Sequence, residues 1–377
     1  MSLDGEIVGQ PVRVALGPRS YDIVIAGGAL DKLASWIGPA DAVPIQATHV
    51  VVVMDAGVEA THGAAVVHAL RHVPRCDSIT IPSGEPSKSV GRLEWLWNQL
   101  LDHRVDRQTL LVAVGGGVVG DLAGFAAATY TRGIRFVQVP TTLLAQVDSS
   151  VGGKTGINLD RAKNMVGAFW QPALVVIDPL TLKTLPEREF RSGLAEVVKY
   201  GIILSPDLFE YLEHSVEPIA ARDPSRLAHI IGESCRLKAE VVTADERETT
   251  GRRAVLNYGH TFAHAFEAVC GYGELLHGEA VAVGMQCAAE LAVRIGWLPK
   301  TVARRQAELL TALQLPVALP RQVSVDALME AMRHDKKSAA GVLRLILPDR
   351  LGNVRSVEGI DADQIRDVLE QVALARA

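Results

Sequence analysis

Apolar, β-branched runs separated by turn residues dominate the first half of the chain. VRVAL at 12–16 and YDIVI at 21–25 sit on either side of a short polar break and predict a β-hairpin. Thr48–Met54 (THVVVVM), Leu110–Val114, Arg135–Val139 and Ala173–Ile177 have the length and near-continuous hydrophobicity of strands buried on both faces. Ser78–Pro82 is a shorter run of the same kind. Ser87 is placed to cap a helix reaching Asp102, whose Leu93, Leu96, Trp97, Leu100 and Leu101 recur at helical spacing. Strands alternating with helices predict a mainly parallel sheet with helices on both faces.

Near residue 185 the period changes from that of strands to that of helices. Helical patterns cover 187–203, 205–213, 225–246, 258–271, 277–296, 301–314 and 324–335, broken at Pro206, Pro224, Gly251, Gly273, Pro299 and Pro316. Two strand-like runs, 342–347 and 354–357, precede a final helix at 361–373. The expectation is an α/β domain over 1–184 and a mostly α-helical domain over 185–377, with the small-molecule site in the cleft between domains.

Composition narrows the partners. The 377 residues are 48% hydrophobic and carry a net charge of −5, which argues against a nucleic-acid or anionic-membrane partner. No apolar run reaches the roughly 18 residues of a membrane helix. The best, Leu110–Gly120, is interrupted by glycines and stops at Asp121. The opening MSLDGEIVGQP lacks the basic and apolar regions of a signal peptide. Cys76, Cys235, Cys270 and Cys287 form no C-x-x-C pair and read as reduced thiols of a cytoplasmic protein.

Candidate chemistry concentrates in two places. After the strand at 110–114, Gly115-Gly116-Gly117-Val118-Val119-Gly120 satisfies G-x-G-x-x-G and opens a helix, where free N–H groups suit a phosphate. The usual acidic residue about 20 positions later is missing, so the motif alone does not separate a dinucleotide site from a tight strand–helix turn. A second glycine pair, Gly152-Gly153, follows the strand at 135–139 and precedes Lys154, Thr155 and Asn158. In the second half, His260 and His264 share a helix face at i, i+4, and His277 opens the next long helix. With Glu196, an acid on an otherwise apolar helix face, they form a candidate metal set, and spacing alone favours pairing His260 with His264. Arg132, Lys154, Lys163, Asn164, Lys199, Lys238, Arg253, Asn257, Lys336 and Lys337 read, as a subset, as an anion pocket.

Together these segments, from about Asp55 to Lys337, resemble the 3-dehydroquinate synthase family of sugar phosphate cyclases. The resemblance implies a Rossmann-like nucleotide-binding α/β domain joined to an α-helical metal-binding domain. It implies conversion of 3-deoxy-D-arabino-heptulosonate 7-phosphate to 3-dehydroquinate and phosphate. The implied route is transient oxidation by NAD+, phosphate elimination, re-reduction and intramolecular aldol closure. Glu196, His260 and His277 would hold Zn2+, with Co2+ suited to the same ligands, and His264 would face substrate instead. NAD+ would be met by Asp55, Glu85, Lys88, Gly116, Gly117, Val118, Asp121, Thr141, Thr142, Lys154, Lys163, Thr181, Thr184, Leu185 and Glu189. Asp55 would supply the ribose-facing acid missing after Gly120. Catalytic contacts would come from Asp148, Lys154, Lys199, Asn257 and His264. Arg132, Lys163, Asn164, Lys238, Arg253 and Lys336 would bind substrate, Arg132 by reaching into the neighbouring subunit of a homodimer. The stretch Glu248–Gly251 is one residue longer than the family pattern. Rival readings are another sugar phosphate cyclase, such as a 2-deoxy-scyllo-inosose synthase, and a metal-dependent polyol dehydrogenase.

Overall fold

The computed structural model describes residues 11–39, 43–160, 162–271, 273–319, 323–333 and 343–374. The chain forms two compact units. One runs to Leu185 and takes in Pro224–Arg247; the other holds Pro186–Asp223 and the chain from Glu248 on.

In chain order the strands of the first unit are β1 (Val12–Val14), β2 (Tyr21–Ile25), β3 (Ile37–Gly38), β4 (Ile45–Gln46), β5 (His49–Asp55), β6 (Arg75–Ile81), β7 (Leu110–Gly115), β8 (Arg135–Pro140), β9 (Lys154–Leu159), β10 (Ala162–Phe169) and β11 (Leu174–Ile177). Seven of them form one sheet in the order β1-β2-β11-β8-β7-β5-β6. The β1–β2 pair is the expected antiparallel hairpin, and every other pairing is parallel. Central strands show why their sequences are apolar without alternation. Val50 and Val52 of β5 pack on one face with Val112 and Val137, while Val51 and Val53 pack on the other with Leu111 and Phe136. A strand buried on both faces leaves no position for a polar side chain.

The helices of this unit are α1 (Ala64–Ala69), α2 (Val90–Asp102) and α3 (Gly117–Thr129), with a long helix, Pro224–Ala244, added from later in the chain. That last helix packs along β1, whereas its position in the chain assigns it to the second domain. The cap of α2 is Ser89, not Ser87: Ser89 Oγ accepts from the Arg92 N–H at 3.3 Å, while Ser87 Oγ donates to the Pro82 carbonyl. The segment after Gly152-Gly153, for which the sequence pattern predicts no strand, is the β9–β10 hairpin, a separate two-stranded sheet beside α3.

The second unit is mostly helical: α4 (Glu187–Ile203), α5 (Pro206–Glu213) and α6 (Val216–Ala220) precede the helix at Pro224–Ala244, which is α7. Then follow α8 (His260–Cys270), α9 (His277–Arg294), α10 (Lys300–Ala312), α11 (Val325–Arg333), the antiparallel strands β12 (Arg344–Arg350) and β13 (Asn353–Glu358), and α12 (Ala362–Leu374). Helix α9 is buried on nearly all sides, so its sequence is apolar on nearly all sides. Gly259 and Gly284 let α8 and α9 approach closely, since a Cβ on Gly284 would collide with the Gly259 carbonyl. Among the described residues no helix is long and apolar enough to cross a membrane.

Candidate functional site

Parallel strands bring their C-terminal ends to one edge of the first unit's sheet. The chain leaves β5 for β6 on one side and returns to β7 on the other, so Asp55 and Gly115 flank the point where strand order reverses. Such switch points are where open α/β sheets bind ligands. Gly115 has φ +154°, and a Cβ there would lie 2.8 Å from Val119 Cγ2 and 3.1 Å from Asp55 Cβ. The glycine is therefore required by both backbone and space. No side chain caps α3 at Gly116, so the N–H groups of Gly117 and Val118 open the helix without a side-chain partner. This cradle fits an anionic pyrophosphate. Asp55 accepts from the Gly57 N–H at 2.7 Å and from Ser83 Oγ.

A polar network flanks the cradle. The ammonium of Lys88, 5% exposed, donates to Asp121 Oδ2 at 2.6 Å and to Asn164 Oδ1 at 2.5 Å. Burial lifts the Asp121 carboxyl above its ordinary range although Lys88 pulls it down. Asn158 donates to Glu85 Oε1 at 2.7 Å and accepts from the Asn164 N–H at 2.9 Å. Asn164 itself takes a left-handed φ of +55°. Sequence reading placed Asn158 beside the site without a role. Its signal is a short polar side chain between the apolar Ile157 and Leu159 of a strand. Thr141 is buried and bonds back to Gly115, and Thr142 Oγ1 accepts from the Ala145 N–H. Thr181 Oγ1 accepts from Gln146 and donates to the Asp178 carbonyl, while Thr184 Oγ1 contacts His62 Nε2 at 2.7 Å. Leu185 follows at the end of the unit.

Lys238, assigned by chain position to the second domain, belongs to the first unit. Its buried ammonium donates to the carbonyl and Oδ1 of Asp148, at 2.6 and 2.7 Å. Lys154 opens β9 with an exposed side chain, and half-buried Lys163 lies on β10. Arg132 is exposed in a turn where Thr131 and Arg132 both take left-handed conformations, φ +48° and +68°.

The second unit gathers Glu196, His260 and His277. Glu196 is fully buried on α4, and the Lys199 ammonium lies in ion-pair contact with its Oε2. Neither carboxylate oxygen accepts a hydrogen bond of normal geometry among the described residues. Buried carboxylates carry such a cost unless a cation meets them. Nε2 of His260 and Nε2 of His277 lie 3.7 and 3.8 Å from Glu196 Oε1. Ligands held at about 2.1 Å around a tetrahedral metal are roughly 3.4 Å apart, so the three fit one divalent ion with small adjustment. His260 turns its other nitrogen, Nδ1, to the Tyr258 carbonyl at 3.1 Å, which makes Nδ1 the donor and leaves Nε2 as the nitrogen turned toward the carboxylate. Burial pulls the His277 imidazole down, yet the Glu267 and Glu196 carboxylates more than reverse this. The pocket thus favours positive charge. His264 stands apart from the carboxylate group, its ring 5.9 Å from that of His260, so the i, i+4 pair does not make the cluster. Arg253 is buried beside Glu248, Asn257 ends the turn before α8, and Glu189 is exposed on the first turn of α4. Lys336 and Lys337 lie outside the described residues.

Comparison with known proteins also finds an N-terminal and a C-terminal region, divided in sequence, with Pro224–Arg247 in the C-terminal one. The family model for the 3-dehydroquinate synthase N-terminal region matches residues 78–192, and that for the C-terminal region matches 193–338. A 3-dehydroquinate synthase of Rhodopirellula baltica is 50% identical, over 94% of this chain and 96% of the relative. Among solved structures, a 2-deoxy-scyllo-inosose synthase complexed with carbaglucose-6-phosphate, NAD+ and Co2+ superposes with TM-score 0.88 at 26% identity, covering 96% of this chain and 100% of that one. The 2-epi-5-epi-valiolone synthase of Streptomyces hygroscopicus subsp. jinggangensis, with NAD+ and Zn2+ bound, gives TM-score 0.85 at 28% identity, covering 95% and 98%. The fold is common to several cyclases; the 3-dehydroquinate synthase models match this sequence in both halves, and a 3-dehydroquinate synthase is half identical to it. The chain belongs to the 3-dehydroquinate synthase family.

Proposed function

We propose that the protein is a carbon–oxygen lyase that converts 3-deoxy-D-arabino-heptulosonate 7-phosphate to 3-dehydroquinate and inorganic phosphate. The observation that carries this reading is the buried Glu196 carboxylate, paired with Lys199 through Oε2 and facing His260 and His277 through Oε1, in a chain of this family. When bound, NAD+ would supply a reversible hydride acceptor and a divalent zinc or cobalt ion a Lewis acid, so that no net redox change occurs.

The chain's own residues then have separable tasks. Gly116, Gly117 and Val118 present N–H groups to the dinucleotide pyrophosphate, and Asp55 offers a carboxylate to a ribose hydroxyl. Thr141, Thr142, Thr181, Thr184, Leu185 and Glu189 complete the dinucleotide contacts. Glu85, Lys88 and Asp121 hold the loop beside α3 through Asn158 and Asn164. Lys154, Lys163, Asn164 and Lys336 place positive charge and amide donors for the substrate phosphate. Lys238 and Arg253 suit the carboxylate that this substrate carries. Asp148 fixes Lys238, and Lys199 lies against Glu196, so both lysines are aimed by a carboxylate. His264 and Asn257 orient the phosphate so that its own oxygen reaches the proton lost in elimination, and proximity supplies much of the rate.

The protein is proposed to act in the cytoplasm, in keeping with four cysteines none of which is in a disulfide, and as a homodimer in which Arg132 serves the neighbouring site. An exposed, strained Arg132 and the exposed Leu159, Met165, Val166 and Phe169 of the β9–β10 hairpin support that assembly. The test is phosphate release from the heptulosonate phosphate with NAD+ and zinc, with and without chelator, while NADH absorbance is followed. Chelator-sensitive phosphate release without accumulating NADH is expected. NADH accumulating without phosphate would make the protein a dehydrogenase, and neither signal would point to a different sugar phosphate.

A further inference from the structure

Glu267 is a buried acid that none of the tasks above uses. It lies on α8, 8% exposed, seven residues beyond His260 and three beyond His264. Acidic side chains are seldom this buried without a cationic or polar partner. Its Oε1 lies 3.8 Å from Nδ1 of His277, and Nε2 of the same ring lies 3.8 Å from Glu196. His277 is therefore bracketed by two carboxylates, one at each ring nitrogen. Glu267 is outside the group of atoms that converge on the shared point between Glu196, His260 and His277.

We infer that Glu267 is the positioning residue of His277: it offers a carboxylate to the Nδ1 side of the ring, so that Nε2, the nitrogen turned toward Glu196, is the one presented to a divalent cation. At 3.8 Å the contact is an ion-pair distance rather than a hydrogen bond, so its action is on charge and tautomer. His260 receives the same service from a neutral group, the Tyr258 carbonyl at 3.1 Å. The two imidazoles thus differ in kind. One is oriented by backbone that no side-chain substitution removes, the other by a carboxylate that can be changed. A carboxylate that takes the other ring N–H of a ligating histidine raises its basicity, and its loss typically costs roughly 10–100-fold in metal affinity; Glu267 stands on that side of the ring and closes the gap when the ring settles on a cation.

The inference rests on the proposed metal triad, and the experiment separates the two. Metal-free wild type, Glu267→Gln, Glu267→Asp and Glu196→Gln are titrated with Zn2+ against a competing chelator, and the Co2+ forms are followed by visible absorption. Glu267→Gln should weaken zinc roughly 10–100-fold while keeping the Co2+ band pattern of the wild-type ligand set, and Glu267→Asp should recover part of the loss. The metal-free melting temperature of Glu267→Gln should match that of wild type. Zinc affinity of Glu267→Gln within about twofold of wild type would overturn the role. So would a loss shared equally by Glu267→Asp and accompanied by a lower metal-free melting temperature, because that marks a packing defect. If Glu196→Gln binds zinc as wild type does, the triad itself is wrong, and that failure is visible separately.

Discussion

Replacing Lys88 by Met tests the dinucleotide side of the structure most sharply. The substitution keeps an unbranched side chain one atom shorter and removes a buried ammonium that donates to Asp121 and Asn164. Removing one member of a buried ion pair costs roughly 3–5 kcal/mol, because the other is left charged and desolvated. The Asp121 side chain retains 21% exposure, so water recovers part of this, and a loss of about 2–3 kcal/mol is expected. For a unit of this size that corresponds to a fall in melting temperature of roughly 4–12 °C. Asp121 already sits above the ordinary carboxylate range through burial, and losing Lys88 raises it further. A folded-state value above the unfolded one means that the folded form binds the proton more tightly. The defect in Lys88→Met should therefore be full at neutral pH and shrink as pH falls through the raised Asp121 value.

The assay is thermal unfolding of wild type, Lys88→Met, Asp121→Asn and the double variant, from about pH 8 to about pH 5, each with and without NAD+. A ligand at 100 times its dissociation constant stabilises by about 2.7 kcal/mol, so weakened NAD+ binding appears as a smaller shift. Asp121→Asn should restore much of the stability lost in Lys88→Met, since it removes the stranded charge. A double variant as unstable as the single one, or a defect that does not change with pH, would refute the reasoning.

Glu196→Ala or His260→Ala should abolish metal-dependent turnover while circular dichroism stays native; full zinc occupancy with turnover in either variant would dismiss the ligand set. His264→Ala should keep bound metal and lose phosphate release, and loss of metal instead would return it to the ligands. Arg132→Ala should cripple turnover and regain part of it on mixing with Lys154→Ala subunits; no complementation in mixed dimers would argue against a shared site. The Glu246 carboxyl is held below its ordinary range, chiefly by hydrogen bonds from Arg19, so it stabilises the fold above its unfolded value and this support drains as pH falls through the folded one. Arg19→Ala should raise the pH of acid unfolding, and an unchanged midpoint would show the pair to be inert.

What was legible in the chain was what neighbours in sequence decide. The buried strands were readable because a strand covered on both faces has one hydrophobic character along its length, and the seven-stranded sheet follows from their alternation with helices. The β9–β10 hairpin was not, because its strands mix glycine, lysine and exposed apolar side chains and show no two-residue period. Helix Pro224–Ala244 was found at nearly its true length but given to the wrong unit. An amphipathic pattern shows that a face is buried and is silent about what buries it. Lys238 inherits that error: chain position separates it from Asp148, and only the packing of the helix brings its ammonium onto that carboxylate. The histidines make the same point in reverse. The i, i+4 spacing puts His260 and His264 on one face, and it is correct that they are neighbours, 5.9 Å apart. Which histidine joins His260 depends instead on where α4 sets a buried carboxylate, and Glu196 turns Oε1 to the start of α9, where His277 stands. A side chain's partners across elements are fixed by burial, and local pattern can name the candidates without choosing among them.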